Sequence, residues 1–419
     1  MSAARLPTAP LIAYAAPAVA LQAMMVPLLL TLPAFYAQDV GLTLATISIA
    51  FGIARAWEAF SDPVIGAASD RTGGRWGRRA PWMVAGVPLA VVATWFLLHP
   101  PAGAGFAWLL AWLMVFYLGW TMVYIPYQSW GAELSSGFEE RSRIAGFREA
   151  GSFTGYLLAT LVPLVVLVLV QGIAVPTYGQ TVQSIGLFFM VALPVGVAWC
   201  LWRVPRPARA PGAHIGWSEM FRLLGRNRPF LRLLAAFLFD RLSMGVYFAL
   251  FPFCLQYVLG LLQAFLVISI VVAIASLAFV PAWVAFAKRL GKHRAYCLAN
   301  GVTAAGYVAF AFVPSGEMAP LIAVYVLLGL GNAGTMVLPG SMTADTVDYD
   351  ELRSGAQQAG AHMAFLVFVM KAGLAGGALG LAAAAFVGFE SATGPHTAEA
   401  LDGLRLAIAG LPVLLLVPA

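Results

Sequence analysis

The sequence contains little charge. Asp, Glu, Lys and Arg make up 10% of its 419 residues, whereas hydrophobic residues make up 61%. An ordinary soluble domain has about 25% charged residues. This deficit excludes a water-soluble globular protein. The net charge of +6 is explained by basic residues in the loops on one side of the membrane, so we expect no nucleic-acid partner.

Cysteine and histidine are also scarce. Cys200, Cys254 and Cys297 lie in apolar segments without metal-binding spacing, so they are predicted to be packing residues. The five histidines lie in unrelated segments: His99, His214, His293, His362 and His396. The sequence therefore predicts no enzyme and no cofactor.

Long apolar segments recur along the whole chain. Many approach or exceed the about 18 to 20 residues that cross about 30 Å of hydrocarbon as a helix. The first exceeds a signal peptide's core of about 7 to 15 residues, so it is predicted to be a retained helix. We predict an all-α membrane protein with twelve spans, at 11–37, 41–69, 80–99, 105–133, 145–171, 182–203, 229–258, 261–288, 293–314, 318–345, 358–389 and 402–418.

Basic residues are concentrated in alternate loops. They follow spans 2, 4, 6 and 8 and are almost absent from the opposite loops, such as 171–184. An excess of Lys and Arg marks cytoplasmic loops. Both termini are therefore predicted to face the cytoplasm of a bacterial inner membrane.

A basic turn occurs twice, about half a chain apart. Residues 75–80 read RWGRRA after span 2, and residues 289–295 read RLGKHRA after span 8. A weaker match pairs 140–141 with 351–353. The repeat predicts two six-helix bundles that rock about a central site, as in many transporters.

The predicted bundles comprise residues 1–203 and 229–419, joined by a cytoplasmic linker at 204–228. The linker is basic and rich in Pro and Gly, and an amphipathic patch at 217–224 suits the membrane surface.

Span 2 carries three ionisable residues far from its ends. Arg55, Glu58 and Asp62 are spaced by three and four residues, which places them on one helical face. Charge at this depth is expensive and is a functional candidate by default. That face is predicted to look into the bundle.

Two acids one turn apart suit a coupling cation. Glu58 and Asp62 repel each other in a poorly solvated site, and a bound Na+ or proton relieves the repulsion. Ser61 and Thr121 can add hydroxyl oxygens, which hard cations prefer. The alternative is a structural Arg55–Glu58 ion pair, which leaves Asp62 unexplained.

Three further charges lie inside predicted spans. Lys371, about halfway along span 11, has no acidic neighbour on its helix and is expected to face the span 2 acids across a cavity. Asp240 and Arg241 project roughly 100° apart, so each is expected to need its own partner. They suit either an inter-helix network or contact with the solute.

Span 4 carries a polar aromatic stripe that includes Trp120, Tyr124 and Gln128. Aromatic residues at helical spacing are more often packing than ligands. Because Tyr124 and Gln128 lie one turn apart, we favour a solute-binding role for the stripe.

These residues resemble the melibiose permease-like glycoside-pentoside-hexuronide:cation symporter family of the major facilitator superfamily. The matches are spread over both halves and keep the family's order. They are RAWEAFSDP at 55–63, RWGRRAPW at 75–82, Ile125-Pro126, ADTVDY at 344–349 and Lys371-Ala372-Gly373.

The resemblance implies cation-coupled symport of a sugar or glycoside by alternating access. It assigns Na+, Li+ or H+ to Glu58, Asp62, Ser61 and Thr121. It implies that Arg148 lies near the sugar and Lys371 close to the ion, and we count Lys371 with the solute-binding residues.

We assign the remaining charges to coupling or gating and expect a monomer in the lipid bilayer. These residues are Arg55, Asp240, Arg241, Asp345 and Asp348.

The chain departs from melibiose permease at the sugar site. Tyr124 stands where the permease has a sugar-binding aspartate, Gln128 stands where it has a tryptophan, and Gln22 and Ala23 stand near its first-helix aspartate. The carboxylates that grip a galactoside are therefore missing, which argues against a galactoside solute. An uncoupled facilitator, a carrier of an amphiphilic solute such as a lysolipid, and a sensor without transport are the alternatives.

Overall fold

The structure is a computed structural model that describes residues 6–73, 76–135, 138–173, 175–205, 227–354, 359–373, 375–389 and 396–419. It divides into two compact units, Met1–Gly212 and Ala213–Ala419. The division lies inside the predicted linker, and the linker's amphipathic patch lies outside the described residues.

The first unit contains six long helices, and the fifth continues as the π-helix Leu164–Val170. They are α1 (Thr8–Gln38), α2 (Leu44–Arg71), α3 (Ala80–Leu98), α4 (Phe106–Glu133), α5 (Phe138–Pro163) and α6 (Tyr178–Arg203). Thr43 caps α2, because its hydroxyl accepts a hydrogen bond from the Thr46 amide.

The second unit begins with α7, which continues as the π-helix Cys254–Val258 and is followed by the 3₁₀ turn Leu262–Ala264. Its α-helices are α7 (Arg228–Phe253), α8 (Phe265–Leu290), α9 (Lys292–Ala311), α10 (Met318–Ser354), α11 (Ala359–Gly373), α12 (Gly376–Phe386) and α13 (Ala398–Leu416). The Asn227 side chain caps α7 by accepting from the Phe230 amide.

Nine segments of the described chain are long and apolar enough to cross a membrane. This confirms the predicted all-helical, multi-pass architecture. α2, α9 and α13 are not among the nine, and each carries charged residues.

The two units repeat one packing scheme. In the first, α1 packs on α5 and α6, α4 packs on α2 and α3, and α3 also packs on α6. In the second, α7 packs on the α11–α12 pair and α13, α10 packs on α8 and α9, and α9 also packs on α13. Each helix thus has the partners of the helix half a chain away, as the repeated basic turn predicted.

Each unit also has an ion pair between the start of its third helix and the C-terminal part of its fourth helix. Arg79 at the start of α3 binds Glu133 at the end of α4, with 2.5 Å between Nη2 and Oε1. Lys292 at the start of α9 binds Asp345 in α10, with 2.6 Å between Nζ and Oδ1. The matched basic turns therefore make matched contacts between neighbouring helices.

Several predicted boundaries were wrong. α5 begins seven residues before the predicted residue 145, and α10 continues nine residues beyond 345, to Ser354. Hydropathy locates the apolar part of a helix and misses polar turns that extend beyond it. Cys297 is also exposed, so it is not a packing residue, whereas Cys200 and Cys254 are buried as predicted.

Two described helices lie within predicted span 11. α11 ends at Gly373 and α12 begins at Gly376. Both glycines lie against α7, where a Cβ would collide with Arg241 and with the backbone of Leu242. Glycine destabilises a helix interior, and here it also permits close contact with α7. Lys371 lies in the last turn of α11 and within the apolar segment Phe365–Phe386.

Candidate cation and solute sites

Arg55 and Glu58 form a buried ion pair on α2. Arg55 Nη1 lies 2.6 Å from Glu58 Oε2, and the two residues are 6% and 2% exposed. The guanidinium also lies over the Tyr117 ring of α4, 4.7 Å from its centroid. Glu58 is therefore neutralised by its own helix, as the structural alternative predicted.

Asp62 contacts a hydroxyl on another helix. The Thr121 Oγ1 of α4 donates a hydrogen bond of 2.7 Å to Asp62 Oδ1. Thr121 is fully buried, whereas Asp62 is half-buried. Two of the four predicted cation ligands thus meet between α2 and α4.

Ser61 is turned to the backbone. Its hydroxyl donates to the Glu58 carbonyl oxygen at 3.2 Å. This hydrogen bond within the helix satisfies a group that the sequence assigned to the cation.

Tyr117 was missed by the sequence analysis. It lies one turn before Thr121, so both residues project from α4 towards the charged face of α2. This i, i+4 spacing from a predicted ligand was the available signal. Its aromatic face stabilises the Arg55 charge by a cation–π contact.

A second polar cluster joins α4 and α5. Arg148 Nη1 donates to Gln128 Oε1 at 2.8 Å, which brings two predicted solute ligands together. Arg148 also contacts Glu149, with 2.6 Å between Nη2 and Oε1. Glu149, whose side chain is 56% exposed, was missed because adjacent helical residues do not normally share a face.

The aromatic stripe of α4 divides into two environments. Trp120 is buried and lies near Phe116 and Phe189, with ring centroids 5.7 and 6.4 Å away. Tyr124 stacks loosely on Trp120 and is half-buried. Trp120 therefore packs inside the first unit, and Tyr124 is the more accessible of the two.

Asp240 and Arg241 pair with each other on α7, and each also has a separate partner on another helix. Arg241 Nη2 and Nε lie 2.7 and 3.2 Å from Asp240 Oδ2. The long arginine side chain bends back across the 100° between the two positions. Both residues are buried, at 3% and 6% exposure.

Side chains on neighbouring helices form hydrogen bonds with this ion pair. The Tyr296 hydroxyl of α9 donates to Asp240 Oδ2 at 3.1 Å, and Arg241 Nη2 donates to the Thr335 hydroxyl of α10 at 3.2 Å. The Arg241 guanidinium lies 5.0 Å from the centre of the Phe237 ring. The pair thus links α7, α9 and α10.

The remaining predicted charges all belong to the second unit. Lys371 is half-buried in the second unit, whereas Glu58 and Asp62 belong to the first, so their pairing stays a prediction. Asp345 is exposed and bound to Lys292, and Asp348 is exposed.

Two helical units that share one packing scheme are also found in solved structures of membrane transporters. A bacterial homologue of the human lysosomal transporter Spinster has this fold. Its structure matches with a TM-score of 0.69 at 16% identity, over 98% of this chain and 94% of that one.

The chain belongs to the family described as MFS/sugar transport protein, whose profile matches residues 13–419. Similar proteins include the inner membrane symporter YicJ of Escherichia coli, which is 26% identical over 85% of this chain and 78% of its own length. The isoprimeverose transporter of Lactiplantibacillus pentosus is 27% identical, over 90% and 80%. The predicted symporter family is thereby confirmed.

A vertebrate relative is also similar. The sodium-dependent lysophosphatidylcholine symporter 1 of Mus musculus is 25% identical, over 72% of this chain and 62% of its own length. The proteins similar to this chain therefore include one named for a sugar and one named for a lysolipid.

Proposed function

We propose that this protein is a cation-coupled symporter that moves a small polar solute, a sugar or a glycoside, by alternating access. The observation that carries the proposal is the half-buried Asp62 carboxylate bound to Thr121 inside an apolar helical unit. A carboxylate at such a depth is stabilised by a cation. Na+, H+ and Li+ are the candidate ions, and no other cofactor is required.

In this proposal the cation organises the solute site. Asp62 and Thr121 bridge α2 and α4, and α4 also carries Gln128, which binds Arg148 of α5. Neutralising Asp62 weakens the charge-assisted hydrogen bond from Thr121 at the α2–α4 contact and so favours a different arrangement of these helices. Cation and solute then raise each other's affinity, as linkage requires.

Arg148 and Gln128 suit a solute with several hydroxyl groups. The guanidinium supplies donors, and the amide supplies both a donor and an acceptor. Glu149 balances the charge of Arg148 and adds acceptor oxygens. A neutral polyhydroxylated solute matches this set, and the family description supports a sugar.

We further propose twelve membrane spans, with both termini in the cytoplasm of a bacterial inner membrane. The nine apolar helices, the shared packing scheme and the inner membrane symporter among the relatives support this topology. α2, α9 and α13 supply the other three spans. Transport, rather than catalysis, is the proposed activity.

The first experiment identifies the solute and then the ion. Thermal-shift screening against sugars, uronates, glycosides and lysolipids selects a ligand of the purified protein. Its uptake into proteoliposomes is then measured with gradients of Na+, Li+ or H+ imposed separately. Binding without any response to an ion would contradict symport and favour an uncoupled facilitator.

An amphiphilic solute is the second candidate. The half-buried Tyr124 stands in the α4 stripe, and one relative is named as a lysophosphatidylcholine symporter. Stabilisation by lysolipids, with no response to sugars in the same screen, would favour this candidate.

A further inference from the structure

We infer that an anionic phospholipid binds at the basic turn between α8 and α9, residues 288–294, with its headgroup on the turn and its acyl chains along α8. The inference is independent of the proposed symport, because it concerns an exposed surface of the second unit and neither the cation site nor the solute site.

The basic turn carries a surplus of positive charge. Its residues include Lys288, Arg289, Lys292 and Arg294 and no acid. Lys292 is paired with Asp345, with 2.6 Å between Nζ and Oδ1. The other three cations are exposed, and among the described residues no carboxylate lies within ion-pair distance of them. Three positive charges at the turn are therefore not balanced by a described acid.

The matched turn of the first unit is neutralised differently. Arg78 and Arg79 both contact Glu133 of α4, with 3.3 and 2.5 Å between their Nη2 atoms and Oε1. One acid thus binds two arginines there, whereas Asp345 binds a single described cation, Lys292. The excess of Lys and Arg in cytoplasmic loops applies to both turns. It does not explain why the second turn keeps more of its charges exposed.

The turn brings the basic side chains of two helices together. A single residue, Gly291, separates α8 from α9 and has a φ of +86°. Glycine adopts this left-handed conformation without a steric penalty. Lys288 and Arg289 in the last turn of α8 and Arg294 in the first turn of α9 therefore lie at the same end of the two helices. A phosphate group at this end can contact more than one of them.

Beside the basic turn, α8 exposes an apolar stripe. Ile274, Leu277 and Val284 are 61, 60 and 39% exposed. With Lys288 they are spaced by three, seven and four residues, so all four share one face of the helix. The rise from Leu277 to Lys288 is about 16 Å, which matches the hydrocarbon depth of one leaflet, about 15 Å. A lipid whose headgroup contacts Lys288 can therefore extend its chains along the stripe.

Charge and apolar surface together favour an anionic phospholipid. A soluble anion would use the charges of the turn and leave the stripe uncovered. A zwitterionic lipid would bring a further positive group to a turn that already has a surplus of them. Phosphatidylglycerol supplies a phosphate without that positive group, and Lys and Arg at the membrane surface attract acidic lipids.

Cys297 provides a reporter beside the turn. It is exposed and lies three residues after Arg294, whereas Cys200 and Cys254 are buried, so a thiol-reactive fluorophore labels it selectively. The labelled protein is reconstituted in phosphatidylcholine nanodiscs with chain-spin-labelled phosphatidylglycerol or phosphatidylcholine, and quenching is measured. We expect half-maximal quenching at an about tenfold lower fraction of the spin-labelled phosphatidylglycerol. Equal quenching by the two lipids would overturn the inference.

A pair of matched variants tests the basic residues. Lys288→Gln/Arg294→Gln removes one charge from each helix of the turn and is expected to reduce the preference for phosphatidylglycerol by about tenfold. Arg71→Gln/Arg203→Gln removes two exposed charges at helix ends of the first unit and should keep the preference. Equal losses in both variants would overturn a defined site, because they would show attraction to the overall charge. The wild-type comparison of the two lipids decides even if a variant does not fold.

Inorganic phosphate separates a lipid site from a site for a free anion. The Tm of the wild-type protein in detergent is measured with phosphatidylglycerol, phosphatidylcholine or inorganic phosphate at constant ionic strength. We expect phosphatidylglycerol alone to raise the Tm, because a ligand that binds only the folded protein stabilises it. An equal rise with inorganic phosphate would overturn the lipid assignment.

Discussion

Thr121 on α4 donates a hydrogen bond to Asp62 on α2, with 2.7 Å between Oγ1 and Oδ1. The carboxylate that is proposed to bind the coupling ion therefore also holds two helices together. A change in its charge acts directly on the α2–α4 contact, which is the physical basis for coupling ion binding to movement of the solute site.

Asp62→Asn is expected to abolish accumulation of solute against its gradient and to retain downhill uptake. An amide keeps the shape of the side chain but cannot exchange a cation. The two activities are measured in proteoliposomes with and without an imposed ion gradient. Asp402→Asn, which changes an exposed acid of α13, is the control and should leave both activities intact.

Thr121→Val is expected to weaken the response to the coupling ion, while Thr121→Ser preserves it. Valine keeps the volume of threonine but removes the hydroxyl that binds Asp62. A hydrogen bond to a charged group contributes about 1.5–3 kcal/mol, so the ion concentration for half-maximal uptake should change by about tenfold or more. Equal ion dependence in the valine and serine variants would contradict this role.

Arg148→Lys is expected to raise the KM for solute by about tenfold or more, because lysine cannot contact Gln128 and Glu149 with separate nitrogens. Gln128→Ala should act in the same direction. Thr154→Ala, at an exposed position on the same helix, is the control. Initial uptake rates over a range of solute concentrations distinguish these outcomes from a uniform loss of folded protein.

Arg241→Met and Asp240→Asn are each expected to destabilise the second unit more than the double variant does. Removing one member of a buried ion pair leaves the other uncompensated and costs about 3–5 kcal/mol, whereas replacing both members is often close to neutral. A double-mutant cycle of thermal unfolding in detergent measures the coupling. Additive losses would show that each residue depends on separate partners.

Gly119→Ala and Gly146→Ala are expected to change stability in opposite directions. A Cβ at Gly119 would lie 2.5 Å from the Ala90 backbone nitrogen of α3, which costs about 1–3 kcal/mol. Gly146 on α5 has nothing within 4 Å of a Cβ, so alanine should stabilise that helix by about 0.5–1 kcal/mol. The Tm values of the two variants, compared with that of the wild-type protein, provide the measurement.

Much of the architecture was predictable because its determinants are local. Apolar length identified the multi-pass helical fold, and the repeated basic turn anticipated the shared packing scheme. The turn at Ala375 was missed because hydropathy is continuous across it. The need for glycine at position 373 is visible only in the structure, where Gly373 lies in close contact with Arg241.

The sequence by itself determined which charged residues lie far from the ends of the long helices, because their positions along each segment are independent of the fold. The tertiary structure decided their partners. Arg55 forms an ion pair with Glu58, Asp62 accepts a hydrogen bond from Thr121, and Arg241 bends back to pair with Asp240. Spacing defines the direction of a Cβ, but the reach of a long side chain and the neighbouring helix select the atom that it finally binds.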